Sequence, residues 1–308
     1  MSMHLLRAIA PWEWSPTTFA ATTLALAAYL RGCYRLGGRE GVLRPVAFVC
    51  GVLLPYAFID TRLEYFALHL FWLQRIEHLV LHHLAPLLIV LSAPGAALEQ
   101  GSPRWLLRYL WRPLAANRVL RLLYRALQQP VVASVLFVGL IYLWLIPSVQ
   151  LDTMLSRTDY QIMNASMLID GLLFWWLMVG PEDPRRAAHL APVTRMLILV
   201  FITVPQTALG AYITFHRTVL YPSFEICGRL AALSGLADQQ LGGLNIWVPA
   251  GMMSALGLAV VIARTMSGAA PLSVSRPSAA SAGTGAAPSA TGPAAPLRAA
   301  AAAGSGSA

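Results

Sequence analysis

The sequence predicts an all-α, polytopic membrane protein with seven transmembrane helices, its N-terminus outside and its C-terminus in the cytoplasm. Three observations support this fold class. Charged residues make up only 11% of the 308 residues, hydrophobic residues make up 57%, and the mean hydropathy is +0.61, whereas soluble domains are about 25% charged. Apolar runs of about 20 residues, the length that crosses a bilayer, recur along the chain. The basic residues, all of them arginine, gather between alternate runs.

Seven apolar runs are long enough to form a transmembrane helix, although polar residues interrupt the second and the third. The predicted spans are residues 17–33, 42–60, 72–94, 130–148, 160–180, 191–214 and 242–265. Residues 1–16 are predicted to be an external N-terminal segment, so the transmembrane domain covers residues 17–265. Residues 266–308 are mostly Ala, Gly, Ser and Pro, which predicts a disordered cytoplasmic tail.

Arginines between the spans predict the orientation, because cytoplasmic loops of membrane proteins are enriched in basic residues. They cluster after the first, third, fifth and seventh runs, whereas the other connections hold more acidic residues. The largest cluster lies in a basic cytoplasmic loop, residues 99–129, where arginines alternate with apolar residues. Part of this loop either lies on the membrane as an amphipathic helix or serves only as an orientation signal.

The charge pattern and the motifs exclude several function classes. A net charge of +9 can indicate nucleic-acid binding, but here the arginines flank apolar runs, which suits topology signals and lipid headgroups. We therefore expect the lipid bilayer, and not nucleic acid, as a partner. The chain has no P-loop, GxSxG, HExxH or dinucleotide fingerprint, and we predict that it is not an enzyme.

The sulfur-containing residues give weak signals for metal binding. The three cysteines form no CxxC pair, which argues against a disulfide framework and against a cysteine metal site. Met163 and Met167 are four residues apart in the fifth span. Thioethers favour Cu(I), but methionine in a helix more often serves packing.

The third span contains the strongest candidates for functional residues, since ionisable groups inside a membrane segment are costly and mark function. On an α-helix with about 100° per residue, His78 and His82 project from the same face as Gln74 and Arg75, and His83 points about 100° away from His82. Paired imidazoles suit copper or zinc, although they could also serve only in hydrogen bonds between helices. We predict metal ligation by His78 and His82, with His83 as an auxiliary ligand.

Other polar residues are expected at a similar outer depth. His216 lies near the end of the sixth span and Asp238 near the start of the seventh, and both are candidate metal ligands. Asp238 could instead cap the start of a helix. Asp170 lies deeper in the fifth span and needs a buried partner, for which His82 and Arg75 are the candidates.

Several stretches are similar to those of a known family. The stretch QRIEHLVLHHLAPLLIVLSAP resembles the third-span signature of the CtaG-type assembly factors of caa-class cytochrome c oxidases. Later stretches agree in order and spacing over about residues 45–265, and the last of them is the most specific: GLLFWW, LYPSF and LADQQLGGLNIWVPAG.

This resemblance implies a seven-helix protein of the bacterial cytoplasmic (inner) membrane that helps mature a haem-copper oxidase by supplying copper. Its implied partners are cytochrome c oxidase subunits and other copper chaperones. By position, His78 matches the second histidine of the signature, and Asp238, Gln239 and Trp247 match the last motif. The sequence departs from the family pattern at three positions, where it has Gln74 for His, Glu77 for Gln and Asn164 for His.

We therefore expect an assembly factor that handles copper transiently. One alternative is a membrane transporter for copper or another small solute, which requires a continuous polar path. Another is a haem-binding redox protein, which requires a second axial histidine besides His78 or His82, from His189 or His216.

Overall fold

The computed structural model describes residues 15–37, 41–181, 190–226 and 233–268, and every regular element in these ranges is a helix. This confirms the predicted all-α class. Most of the predicted external segment (1–16) and of the predicted tail (266–308) lies outside these ranges, as do Cys227 and His189.

Thirteen helices are labelled here in chain order. The first six are α1 (Pro16–Arg35), α2 (Leu43–Ile59), α3 (Arg62–His69), α4 (Phe71–Leu91), α5 (Gly95–Gly101) and α6 (residues 104–116). The others are α7 (Arg118–Leu127), α8 (Pro130–Trp144), α9 (Pro147–Leu155), α10 (Arg157–Val179), α11 (Pro192–Phe215), α12 (Ser223–Ile226) and α13 (Gly235–Gly268).

Three helices, α10, α11 and α13, are each long and apolar enough to cross a bilayer. The number rises to five if α4 with α5 and α7 with α8 each form one span, although the two helices of each pair are bent by 75°. The shorter α2 is apolar but has only 17 residues. The structure therefore supports three to five spans, and the seven spans and their orientation remain a prediction.

Prolines and caps set several helix ends. The predicted fourth span was expected to reach residue 148, but α8 ends at Trp144, because Pro147 begins α9 and Ile146 before it is extended. Ser156 is the N-cap of α10, where its hydroxyl accepts a hydrogen bond from the backbone N–H of Asp159.

Several of the longer helices pack closely against each other. The pair α11–α13 has the most extensive interface, α13 also packs on α4, and α4 packs on α2 and α10. Because lipid is as apolar as the side chains, such packing relies on close van der Waals contact and polar links between helices. Small residues permit it, as at Gly242, where any Cβ would overlap the ring of Phe71.

Helix α7 differs from the others because none of its residues is buried. Arg118, Arg121 and Arg125 lie within an arc of about 60° on its surface. Val119 and Leu123 lie on the other side and are 73% and 53% exposed. Part of the basic loop is thus an amphipathic helix, as one of the two interpretations expects, and its position on a membrane remains a prediction.

Candidate functional site

A small cavity of about 30 Å³ lies among α4, α8, α10 and α13. The buried side chains of His78, His82 and His83 line it together with Arg75 and Met167. The remaining lining includes apolar residues in or just after α8 and in α13: Ile141, Leu145, Ile246 and Ala250. The cavity has room for a single ion or a water-sized group, and it is far too small for a porphyrin.

The position of His83 depends on an irregular turn of the helix. A regular α-helix would direct His83 about 140° away from His78, five residues earlier, yet both side chains line the cavity, and the ring centroids of His82 and His83 are 5.1 Å apart. The reason is a π-helical turn at Val80–Leu84, which turns the chain less per residue. Position i+5 therefore comes close to position i, and His83 joins His78.

The π turn is explained by Pro86. In a regular helix the carbonyl group of His82 would accept a hydrogen bond from residue 86, but proline has no N–H and its ring clashes there. The chain widens instead, and the N–H of Ala85 donates to the carbonyl oxygen of Val80, five residues earlier. Single π turns inside α-helices are frequent at functional sites.

Asp170 pairs with His82, which is one of the two partners predicted for it. The Nε2 of His82 lies 3.0 Å from Oδ2 of Asp170, and the imidazole stacks on Phe137 with ring centroids 4.1 Å apart. With the carboxylate accepting from Nε2–H, the Nδ1 atom keeps its lone pair. Carboxylates hold metal-binding histidines in this way.

Four imidazole nitrogens of the cavity have no hydrogen-bond partner among the residues described. They are both ring nitrogens of His78, Nδ1 of His82 and Nδ1 of His83. Leaving a buried polar group unpaired costs about 1–3 kcal/mol. Such groups therefore need an explanation, and a ligand that the cavity receives is one.

Close contact with α10 fixes the π turn. A Cβ atom on Gly171 would lie 3.0 Å from the carbonyl carbon of His82 and 2.9 Å from Cγ of Pro86. Only glycine lets α10 come this near to the backbone of α4. The same contact places Asp170, one residue earlier, beside the ring of His82.

Two of the three departures from the family pattern contact each other. Glu77 is buried, and its carboxylate accepts hydrogen bonds from Nδ2 of Asn164 (2.8 Å) and Oη of Tyr160 (2.6 Å). The third departure, Gln74, accepts at Oε1 from Nε2 of Gln150 (2.7 Å). The three side chains that differ from the family pattern thus belong to buried hydrogen-bond pairs beside the cavity.

Arg75 adds a positive charge to the cavity wall. Its Nη2 donates to Oε1 of Gln74 and lies 3.5 Å from Oε1 of Gln150, and its guanidinium carbon lies 4.9 Å from the ring centroid of Phe71. Its Nε has no partner within the part of the chain that the structure describes.

The described residues form no full cluster of metal ligands. Within residues 15–37, 41–181, 190–226 and 233–268, no group of three or more His, Cys, Asp or Glu side chains is arranged to hold a metal ion. The cavity does present imidazoles together with the thioether of Met167. Imidazole and thioether ligands suit copper, and thioethers select Cu(I).

The structure does not bring His216 to the cavity. Its ring is partly exposed after α11, beside Tyr212 at 5.3 Å, and its Nδ1 lies 3.0 Å from the carbonyl oxygen of Thr218. His216 is therefore not positioned to ligate an ion together with His78 and His82, nor to serve as a second axial ligand to a haem there.

Asp238 also lies outside the cavity, where it caps a helix. Its carboxylate accepts hydrogen bonds from the backbone N–H groups of Phe71 (3.1 Å) and Trp72 (2.9 Å), the first residues of α4. The sequence suggested a cap as an alternative role for Asp238, but the helix that it caps is α4, which carries the histidines. Asp238 therefore positions the site from a distance.

Other residues of the stretch LADQQLGGLNIW also connect helices near the site. Asn245 donates from Nδ2 to the carbonyl oxygen of Trp72 (3.1 Å), and Gln239 accepts from the N–H of Leu220 (2.6 Å). Burial raises the pKa of Tyr221 to about 12, so its hydroxyl stays protonated and donates to the carbonyl oxygen of Leu145. The stretch LADQQLGGLNIW thus joins α13 to α4 and to the segment after α11.

Known proteins resemble this chain over most of its length. Uncharacterized proteins of Mycobacterium leprae (24% identical over 262 residues) and of Mycobacterium bovis and Mycobacterium tuberculosis (each 25% over 268 residues) match 79% of this chain. The match covers only 37–38% of the length of these relatives. No solved structure matches the chain. The model of the cytochrome c oxidase caa3 assembly factor family, Caa3_CtaG, matches residues 27–267, and the chain therefore belongs to that family.

Proposed function

We propose that this protein assists copper-centre formation in a haem-copper cytochrome c oxidase by holding a copper ion transiently at His78 and His82. The observation that supports it best is the group of three buried imidazoles on one helix, which line a single cavity and have four ring nitrogens without a hydrogen-bond partner among the described residues. No catalytic turnover is part of this proposal. Copper is the cargo, and the protein passes it on.

The geometry suggests a role for each donor. Asp170 fixes the ring of His82 and leaves Nδ1 free to bind. His78 offers either ring nitrogen, and Met167 brings a thioether that favours Cu(I). His83 is an auxiliary donor that the π turn brings to the same cavity.

The surroundings favour release over retention. A site with two imidazoles and one thioether binds copper less firmly than a full set of thiolates would. Arg75 places a positive charge on the same wall, and like charges repel strongly where water is scarce. Both features suit a protein that must hand its ion to a client.

The setting of this step follows from the family. We propose that the protein works as a multi-pass protein in a bacterial cytoplasmic membrane, receives copper from other copper chaperones and contacts oxidase subunits.

Deletion of the gene and complementation test the proposal. Cells that lack the protein should have reduced cytochrome c oxidase activity and less copper in the purified oxidase. The double variant His78→Ala/His82→Ala should fail to restore both while still inserting into the membrane. His216→Ala is the matched control, because this histidine lies outside the cavity, and it should complement fully.

Two results would contradict the proposal. If the deletion strain has normal oxidase with normal copper, the assembly role is wrong for this protein. If the double variant restores oxidase copper as well as the unmodified protein does, the ligand assignment fails and only the family membership stands.

A further inference from the structure

A second cavity lies at the C-terminal ends of α4 and α10, away from the histidines, with a volume of about 580 Å³. Along α10 it is roughly 16 Å from Met167, at 1.5 Å per residue. Three arginines from three helices line it: Arg44 of α2, Arg195 of α11 and Arg264 of α13. The proposed copper chemistry uses none of them.

Arg195 is the most informative of the three. It is 9% exposed, its Nε has no hydrogen-bond partner, and no carboxylate in the described ranges forms an ion pair with it. Among the described residues, only its Nε atom is enclosed without a partner. An anion that enters the cavity would therefore find a guanidinium group that no described carboxylate already pairs.

The cavity is amphipathic. Apolar side chains, among them Leu91, Met178 and Val261, form part of its wall next to the arginines. Arg264 is held in place because its Nη1 donates to the carbonyl oxygen of Val179. Guanidinium groups bind phosphate through paired hydrogen bonds, and apolar walls suit the glycerol and upper acyl carbons of a lipid.

We propose that this cavity binds the phosphate of an anionic phospholipid headgroup, with Arg195 as the central contact and Arg44 and Arg264 at its sides. Basic cavities between membrane helices recognise such headgroups. The arginines would otherwise serve only as orientation signals, but that role does not require one of them to be buried. This inference does not depend on copper binding.

Native mass spectrometry and thermal unfolding of the full chain in detergent test the proposal. Phosphatidylglycerol should remain bound and raise the melting temperature, whereas phosphatidylcholine should do neither. Arg195→Gln should weaken phosphatidylglycerol binding at least tenfold, and Arg44→Gln should weaken it several-fold. Arg217→Gln, which removes an exposed arginine after α11, is the control and should bind like the unmodified protein.

The proposal is wrong if phosphatidylglycerol and phosphatidylcholine bind equally well. It is also wrong if Arg195→Gln and Arg44→Gln both bind phosphatidylglycerol like the unmodified protein. Millimolar inorganic phosphate that stabilises the protein as much as phosphatidylglycerol would assign a free anion in place of a lipid. Glu182→Gln/Asp183→Asn tests two carboxylates that follow the cavity residue Pro181 in the sequence. If this variant lowers the melting temperature and phosphatidylglycerol raises it in neither this variant nor the unmodified protein, the proposal is wrong.

Discussion

The imidazole of His82 and the carboxylate of Asp170 meet across two helices, with Nε2 and Oδ2 3.0 Å apart and both side chains buried. A carboxylate in this position fixes the orientation and the tautomer of the ring. It also makes the free nitrogen a better metal ligand, and loss of such a partner typically lowers metal affinity about 10–100-fold.

Asp170→Asn should therefore weaken Cu(I) binding by about tenfold or more, because the amide keeps the shape but loses the charge. The measurement is competition between the purified full chain and a colorimetric Cu(I) chelator. Asp159→Asn, at the exposed start of the same helix, is the control and should leave the affinity unchanged. Equal affinities in the two variants would show that the His82–Asp170 pair only links helices.

Gly171→Ala should destabilise the protein by about 1–3 kcal/mol, the usual cost of overpacking. The added methyl group would collide with the backbone of His82, which cannot move without opening the π turn. Gly139→Ala in α8 is the matched control, since nothing lies within 4 Å of its added Cβ. Unfolding in detergent measures both, and a similar stability for the two variants would contradict the close contact.

Part of this site could be predicted from the sequence. Charged groups in a membrane span are costly, so the cluster around His78 and His82 was identifiable as functional. By the same reasoning, Asp170 inside a span needs a buried partner, and His82 is one of its two candidates. Burial cost alone is enough for such inferences, because a buried carboxylate must find one of the few available partners.

The rest depends on tertiary structure. The π turn places His83 in the cavity, and its one local signal is Pro86, four residues after His82. Asp238 caps a helix 167 residues away in the chain, and no local pattern distinguishes that role from a cap on its own helix. Gln150, which bonds to Gln74, lies outside every predicted span.

Glu77 and Asn164 should show energetic coupling. Their side chains are 2.8 Å apart and buried. Coupling between polar pairs in membrane proteins averages about 0.6 kcal/mol. The largest such couplings reach about 1.7 kcal/mol, and for this buried pair we expect about 0.6–1.7 kcal/mol from Glu77→Ala and Asn164→Ala, since each substitution removes one partner of the hydrogen bond.

A double-mutant cycle measured by unfolding gives this coupling. The control cycle combines Glu77→Ala with Gln206→Ala, a buried residue of α11 that is not a partner of Glu77, and the two effects should add. If the effects of Glu77→Ala and Asn164→Ala also add, the two residues that differ from the family pattern act independently.

Asp238→Ala should lower stability by about 0.5–2 kcal/mol, as loss of a helix cap does. It removes the acceptor for the N–H groups of Phe71 and Trp72, and with it a negative charge at the N-terminus of α4. Asp238→Asn should lose less stability, because its amide oxygen can still accept one hydrogen bond. Gln240→Ala, an exposed neighbour, serves as the control. Unchanged stability in Asp238→Ala would show that α4 begins without this cap.

Helix α7 should lie in the membrane interface. It makes an angle of 75° with α8, so if α8 crosses the bilayer, α7 runs close to the membrane plane. Its apolar side is not covered by any described part of the protein, and its arginines lie on the other side. Amphipathic helices with this pattern bury their apolar side at the boundary between headgroups and acyl chains, and their arginines bind anionic lipids.

Spin labels at Leu123 and Arg121 test this position of α7, since the two side chains point about 160° apart. In a variant without the native cysteines, reconstituted in bilayers, a label at position 123 should collide more with oxygen, which concentrates in lipid. A label at position 121 should collide more with a water-soluble nickel chelate. Because both labels lie on one helix, they control for each other. Equal nickel accessibility at the two positions would place α7 in water, away from the bilayer, and would leave its arginines as orientation signals only.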